Sequence, residues 1–438
     1  MSSNELKRTL SPMMLWGLGV GYVISGMYFG WNLGLAEGGT LGLAISTFFI
    51  IVLYVTFTFS YSELACAIPK AGGAFDYATI ALGKDLGFIA GIAQNIEFIF
   101  APPAIAFAIG AYFNIFFPFI PILAIAGLAY LLFTALNMYG VKAAAMFELI
   151  ITVLAVGELL LFSSITLPHV EMKNLSVNAF PNGWSGVFAS IPFAIWFFLA
   201  IEGVANVAEE TVNPQRTILL GFGSAILTLV ILCVLTFVSS AGVGGWERIV
   251  YTADGATSDS PLPLALAQIV SVDHWLYHLL ITIGLFGLVA SFHGIILAAG
   301  RATFEFGRVG FAPKFLGRVN PRFQTPANAL VVNMAIGIVA LLTGRTADII
   351  TLSVFGALTL YIISMVAIIR LRKVAPDMPR PFKVPFFPAF PVIALTIAVI
   401  SLVAMCVYNV KLAGIYFAII ILSYTVFKIV TKRNAQLS

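Results

Sequence analysis

Gly17-Leu-Gly19-Val-Gly21-Tyr22-Val-Ile24-Ser25-Gly26-Met27-Tyr28-Phe29-Gly30 and Trp196-Phe197-Phe198-Leu199-Ala200-Ile201-Glu202-Gly203 decide how this chain is read. Each lies inside an apolar run near the roughly 20 residues that cross a bilayer, yet each is a poor helix. The first is dense in glycine, which weakens a helix at every occurrence. The second carries a carboxylate and a glycine in an otherwise apolar stretch. Backbone polar groups cannot be left unpaired in hydrocarbon, so a transmembrane helix breaks only where it faces protein or a water-filled cavity. Glycine-interrupted spans at corresponding places in two halves are the sequence pointer to an inverted-repeat carrier with a mid-membrane site. Close helix packing through small residues is the alternative for the first stretch.

The rest of the chain supports a lipid-embedded fold. Of 438 residues, 60% are hydrophobic and 10% charged, against roughly 25% charged in a soluble domain. A water-soluble enzyme is excluded, and the net charge of +4 comes from scattered basic residues rather than from a nucleic-acid-binding stripe. The three cysteines all sit in apolar runs, so neither a disulfide framework nor a cysteine metal site is offered. Twelve apolar runs are read at residues 12–35, 41–68, 86–113, 121–139, 144–167, 184–205, 217–243, 276–300, 327–344, 347–369, 387–408 and 412–430. With the N-terminus inside, nineteen of the 23 basic residues fall inside, Lys7, Lys142 and Arg433 among them. Lys173, Arg248, Arg345 and Lys411 fall outside. That asymmetry follows the positive-inside rule and places both termini in the cytoplasm. The expected class is an all-α membrane protein of 12 transmembrane helices. Residues 1–11 form a cytoplasmic tail, 12–167 a first five-helix repeat, 168–183 an external loop, 184–372 a second repeat, and 373–438 two extra helices and a tail. The stretch 244–275 reads as a small surface cap.

Glu97, Glu158 and Glu202 lie at membrane depth, where no Lys or Arg accompanies them. A charged side chain there is costly unless paired or hydrated. A positively charged substrate or protons would then supply the missing charge, burial favouring the neutral acid; the plain alternative is a protonated glutamic acid bonded to a neighbouring helix. Glu63 and Glu148, near the cytoplasmic ends, read as structural. Tyr22, Tyr28, Trp196 and Phe198 flank the breaks, and aromatic faces attract organic cations. His293 could accept a proton or serve only in packing. His274 and His278 are spaced like half a metal site with Asp273 alone to join them, which is too little for a metal. No cofactor is implied. Pro102-Pro103 removes two amide donors from the third run and predicts a kink there.

Several segments together resemble the amino acid–polyamine–organocation transporters over nearly the whole chain. Ser25-Gly26 resembles the end of that family's helix-one break. Glu63-Leu-Ala-Cys-Ala-Ile-Pro69-Lys-Ala-Gly72-Gly73 and Glu210-Thr-Val-Asn213-Pro214-Gln-Arg216 are similar to its turns after helices two and six. Arg301 through Gly310 with Pro313, and Arg380-Pro381-Phe382-Lys383-Val384-Pro385, match its segments after helices eight and ten. Asn95-Ile-Glu97-Phe-Ile-Phe-Ala-Pro102-Pro103-Ala-Ile-Ala-Phe, with Phe147-Glu148-Leu and Gly157-Glu158-Leu, is most similar to the bacterial ethanolamine permeases.

The resemblance implies a LeuT-like five-plus-five inverted repeat with broken helices one and six, and alternating-access import of ethanolamine or a similar small primary amine across a bacterial inner membrane. An amino acid or polyamine is the other cargo it admits, moved by symport or exchange. In that family's amino acid carriers, helix-one amides bind the substrate carboxylate and helix-six carbonyls its ammonium. Those roles would fall on Ser25, Gly26 and Met27, and on Phe198, Leu199 and Ile201, with Glu97 or Glu202 as the charge partner and Tyr28 and Trp196 enclosing the guest. Ile24 replaces the family's first glycine of the break, which narrows the room for a carboxylate, and Val309 replaces an acid. No lysine stands near Ala155 in the fifth run. Glu158, one turn on, and His293 in the eighth run are the coupling candidates, for proton or sodium.

Overall fold

The computed structural model describes residues 8–139 and 141–437, without the side chains of residues 141–145 and 433–437. Lys7, the side chains of Lys142 and Arg433, and most of the expected N-terminal tail therefore lie outside the described residues. Among those described, every regular element is helical, the strand-like geometry being confined to two isolated bridges. The first half holds α1 (Pro12–Val23), α2 (Ser25–Tyr28), α3 (Leu33–Ala67), α4 (Ala74–Leu82), α5 (Lys84–Phe116), α6 (Ile122–Met138) and α7 (Val141–Thr166). Then come α8 (Met172–Ser176), α9 (Gly183–Ala189), α10 (Ile191–Trp196), α11 (Pro214–Gly244), α12 (Glu247–Val250) and α13 (Pro261–Leu266). The chain continues with α14 (Trp275–Arg308), α15 (Ala327–Leu341), α16 (Thr346–Val374), α17 (Ala389–Tyr408) and α18 (Val410–Leu437).

Nine helical stretches among the described residues are long and apolar enough to cross a membrane, one of them the composite Ile191–Glu210. Two shorter apolar helices, α6 and α15, have 17 and 15 residues. The first expected run, 12–35, is divided into α1 and α2, and its tail belongs to α3. That helix begins eight residues before the expected second run and bends at Gly39, whose φ of 63° ends one helical direction and starts another. Composition could not place this corner, because both sides of it are apolar. A Cβ at Gly39 would also lie 2.6 Å from the Ala179 carbonyl oxygen, so the residue there must be glycine. The double proline at 102–103 leaves α5 one continuous helix through Phe116.

The centre is built on α5, which packs chiefly against α16 and α14, with α1 lodged among α7, α11 and α14. Ser353 of α16 donates to the Glu97 carbonyl oxygen at 2.7 Å. A Cβ at Gly356 would stand 2.5 Å from the Ala93 carbonyl oxygen, so the two helices meet backbone to backbone. Large apolar side chains at the rim, such as Phe48, Leu131, Leu227 and Val407, are exposed, as expected of a surface that lipid wets.

Ion pairs gather at one end of the molecule. Glu63, 2% exposed, accepts from Arg372 at 2.6 and 2.9 Å and lies 3.4 Å from Arg380. Arg301 meets Glu210 at 2.7 Å, and Arg308 joins Glu305 to Glu209. The chain before α1 is tied in by Thr9 and Leu10 amides donating to the Glu210 carbonyl. At the opposite end α12 and α13 form the cap expected at 244–275, held by Asn32, whose amide donates to the Ser258 carbonyl at 2.8 Å. Asp259 of the cap is half-buried and accepts from Thr346 at 3.0 Å.

Burial pushes the Asp259 carboxyl up to about 6, the Thr346 hydrogen bond only partly offsetting it. An acid whose folded pKa exceeds its unfolded one binds more protons when folded, so its contribution favours the folded state at low pH and is lost as pH rises towards 6. Asp259→Asn removes that term. Thermal melting of the purified protein between pH 4 and 7 is expected to fall less steeply with pH in Asp259→Asn than in the wild type.

Candidate functional site

Helix one breaks because its last amides and carbonyls are diverted. After α1 the Met27 amide donates to Ile24 and the Phe29 amide to Ser25, while Ser25 and Gly26 amides have no acceptor among the described residues. The Tyr22 carbonyl instead accepts from Ser291 of α14 at 2.6 Å, and Ser291 Oγ lies 2.7 Å from Ser25 Oγ. Phe29 is then extended and Gly30 takes a φ of 86°, where glycine is at home. Helix six stops at Trp196. The turn 197–200 ends on Ala200 in the left-handed region, φ 75°, and a 3-10 segment, Ile201–Glu210, continues the chain. A non-glycine residue held left-handed costs roughly 1–3 kcal/mol and is found where surrounding structure imposes it.

The two breaks lie directly on one another. A Cβ at Gly26 would stand 2.4 Å from the Trp196 carbonyl oxygen and 3.0 Å from Phe197 Cα; one at Gly30 would meet the Trp196 indole nitrogen at 2.4 Å. Phe29 meets Trp196 edge-on at 5.4 Å, and Trp31 stacks on Phe197 at 5.4 Å. Trp196 Nε1 is buried with no partner among the described residues.

Beside this junction the carboxyl groups of Glu97, from α5, and Glu202, from the 3-10 segment, face each other, with the Ala200 amide near Glu97. Both residues are fully buried, and both Glu97 oxygens and Glu202 Oε1 have no donor among the described residues. The second Glu202 oxygen accepts from Tyr361 at 2.9 Å, and Tyr361 in turn meets Tyr54 at 3.0 Å. Tyr54 packs on Phe198 with ring centroids 5.2 Å apart. Two carboxyls in contact cannot both be charged without a cation. No basic side chain touches them among the described residues. The arrangement can hold one shared proton or one small cation.

The other residues singled out by sequence are distributed around this centre. Ser25, Gly26, Met27, Phe198, Leu199 and Ile201 are buried at the two breaks. Tyr28 turns away from the carboxyl pair: its hydroxyl donates to Glu158 Oε2 at 2.6 Å, and its carbonyl accepts from Tyr112 at 3.0 Å. Tyr28, Tyr112 and Glu158 border a cavity of about 10 Å³ under Leu262, Pro263 and Leu266 of the cap, room for about one water. His293 pairs with Glu148 at 3.0 Å, not with Glu158. Tyr54, Tyr361, Ser291 and Glu148 were not foreseen as neighbours of the site. Their signal was a polar atom in each helix, which in an aromatic-rich chain does not stand out. Among the described residues no group of three His, Cys, Asp or Glu is placed to hold a metal ion.

Helices of membrane-spanning length packed around a buried polar junction define a membrane protein. The chain belongs to the amino acid permease family, whose model matches residues 10–429, and it is a multi-pass membrane transporter. It is 29% identical over 409 residues to an uncharacterized transporter of Rhizobium meliloti, covering 89% of this chain and 85% of that one. It is 28% identical to the methylthioribose transporter of Bacillus subtilis, with 90% and 87% covered. It is also 26% identical to the branched-chain amino acid permease of Bacillus subtilis, with 89% and 86% covered. The family and these relatives are transporters, not enzymes.

A methyl group at Gly26 is opposed by backbone atoms that cannot swing aside. Overpacking of this kind costs about 1–3 kcal/mol. Gly26→Ala is therefore expected to lower the melting temperature and to weaken substrate binding roughly tenfold or more. Gly127→Ala, where nothing lies within 4 Å of the added carbon, is the control and should match the wild type in both measurements.

Proposed function

We propose that this transporter moves a small substrate carrying a positively charged amine, by alternating access around the junction of the two helix breaks. Ethanolamine is the first candidate. The observation that carries this reading is the Glu97–Glu202 carboxyl pair, fully buried and short of donors. An ammonium group offers three donors and one charge, which matches what the pair lacks. Trp196, with its free indole nitrogen and its ring against Phe29, would enclose the guest. A substrate with no carboxylate leaves the Ser25 and Gly26 amides to a hydroxyl or water.

The architecture that goes with this reading has 12 spans, α6, α15 and the divided α1–α2 included. The LeuT-like repeats are 12–167 and 184–372, and the inner-membrane orientation puts both termini in the cytoplasm. Its supports are the charge asymmetry of the loops and the breaks at like places in the two halves. In that orientation the Glu63, Glu209 and Glu210 ion pairs close the cytoplasmic end and the α12–α13 cap covers the outer one.

An amino acid is the second reading. It is favoured by the branched-chain amino acid permease among the relatives and by the two unpaired amides at Ser25 and Gly26, which suit a carboxylate at a helix start.

Binding of ethanolamine, choline, alanine, leucine and putrescine to the purified protein, with and without sodium and at two pH values, separates these readings. Ethanolamine is expected to bind best, and labelled ethanolamine uptake into proteoliposomes should fall at least roughly a hundredfold in Glu97→Gln or Glu202→Gln, the cost of leaving a buried charge unpaired. Leucine or alanine displacing ethanolamine, with alkylamines failing to do so, would establish the amino acid reading. Undiminished uptake in both glutamine variants would remove the carboxyl pair from the site.

A further inference from the structure

Pro102 and Pro103 predict an interruption that α5 does not show: the helix continues from Lys84 to Phe116 with both prolines inside it. Proline has no N–H, so the carbonyls four residues back, those of Phe98 and Ile99, each lose the amide that would close their helical turn. A backbone carbonyl inside a protein nearly always finds another partner. Phe98, Ile99 and Pro102 border a cavity of about 10 Å³, shared with Thr134 of α6, Ile296 of α14 and Asn333 of α15. Thr134 is 2% and Asn333 7% exposed, and Thr134 Oγ1 and Asn333 Nδ2 have no partner among the described residues. None of the residues lining this cavity carries a charge.

The walls of the cavity are drawn close at two glycines. A Cβ at Gly337 of α15 would lie 2.2 Å from the Tyr130 hydroxyl of α6, and one at Gly300 of α14 would lie 2.5 Å from Leu330 of α15. Asn333 is held from the far side. Its Oδ1 is 3.0 Å from Thr303 Oγ1 of α14, and Thr303 Oγ1 is 2.5 Å from Asn95 Oδ1 of α5. Asn95 ends this chain by donating to the Gly91 carbonyl at 2.7 Å. With Oδ1 engaged, Asn333 has only Nδ2 to offer the cavity.

We propose that this cavity binds one water molecule, which stands in for the two amides that the prolines lack and keeps α5 continuous between α6 and α15. A cavity of this size has room for about one water, which needs two to four polar partners. Here it finds four: its protons go to the Phe98 and Ile99 carbonyls, and its oxygen accepts from Asn333 Nδ2 and the Thr134 hydroxyl. A metal ion or an ammonium fits poorly, because no carboxylate lines the cavity to neutralise it and an amide donor points inward. The residue before Phe98 is Glu97, so a bend at Phe98 and Ile99 would displace the carboxyl that faces Glu202. The water is therefore part of what positions the carboxyl pair, whatever guest that pair receives.

A density map of the wild-type protein in lipid nanodiscs, sharp enough to resolve ordered water, is expected to show one peak within hydrogen-bonding distance of Thr134 Oγ1 and Asn333 Nδ2. A dry cavity overturns the proposal, and so does a peak ringed by oxygens alone at metal–oxygen distances. Melting temperatures supply the second arm. Asn333→Leu and Thr134→Val each remove a donor to the water, and each is expected to melt below the wild type. Replacing Pro102 and Pro103 together by alanine returns both amides to α5, so in that background Asn333→Leu should lower the melting temperature by roughly half as much or less. An equal loss in the two backgrounds would mean that Asn333 acts through Thr303 alone, and it overturns the proposal.

Discussion

The contact on which the molecule depends is the one between two interrupted backbones. Gly26 lies so close to the Trp196 carbonyl that no side chain fits between them. An apolar chain solvated by lipid gains little from bringing helices together by hydrophobic burial alone, since lipid tails are as apolar as leucine. What holds these elements is close approach and the satisfaction of polar groups. The break in helix one hands the Tyr22 carbonyl to Ser291; the break in helix six sets Ala200 left-handed and brings Glu202 to face Glu97. Each irregularity is tolerated because the other covers it, and the polar groups they release together make a site that neither would make alone.

That same closeness explains why the site is unbalanced. Where two helices pack regularly, each carbonyl has its amide and the interior is quiet. Here the packed state leaves the Glu97 oxygens, Glu202 Oε1 and Trp196 Nε1 without partners, a set rich in acceptors and lacking positive charge. Unpaired buried polar groups cost roughly 1–3 kcal/mol each, so the packed state without a guest is held above its lowest free energy. A proton or an ammonium lowers it. The tyrosine relay from Tyr54 through Tyr361 fixes one Glu202 oxygen and leaves the other free, which orients the pair without filling it.

Much of this was legible in the sequence and some was not, for reasons that differ residue by residue. A carboxylate in an apolar run is conspicuous because lipid cannot solvate it, and so Glu97, Glu158 and Glu202 stood out. Glycine density marked the first break, and a carboxylate beside a single glycine the second. The hydroxyls of Tyr54 and Tyr361 were invisible, since a tyrosine on an apolar helix face looks like a phenylalanine until its neighbours are known. Glu148 read as structural because it lies near a helix end; the room for it comes from Gly21 and Gly294, two absences of a side chain on two other helices. The corner at Gly39 was likewise hidden, because hydropathy records what lipid accepts and says nothing of where the chain turns inside it.

The division between the two buried pairs has a physical logic. Glu97–Glu202 carries two acids and no base, so it can be neutralised by any cation that fits, a guest included. Glu148–His293 already sets a ring nitrogen 3.0 Å from its carboxyl, and the close approach of Gly21 and Gly294 leaves no space for a larger guest. Glu97 comes from α5 and Glu202 from the 3-10 segment that follows the break in helix six, whereas Glu148 comes from α7 and His293 from α14, with Glu148 Oε1 close against Gly21 of α1. The Glu148 pair therefore abuts α1 directly, while the carboxyl pair sits beside the break in helix six. The two pairs thus differ both in chemistry and in the elements that supply them, and each is enclosed by residues that the fold must in any case bury.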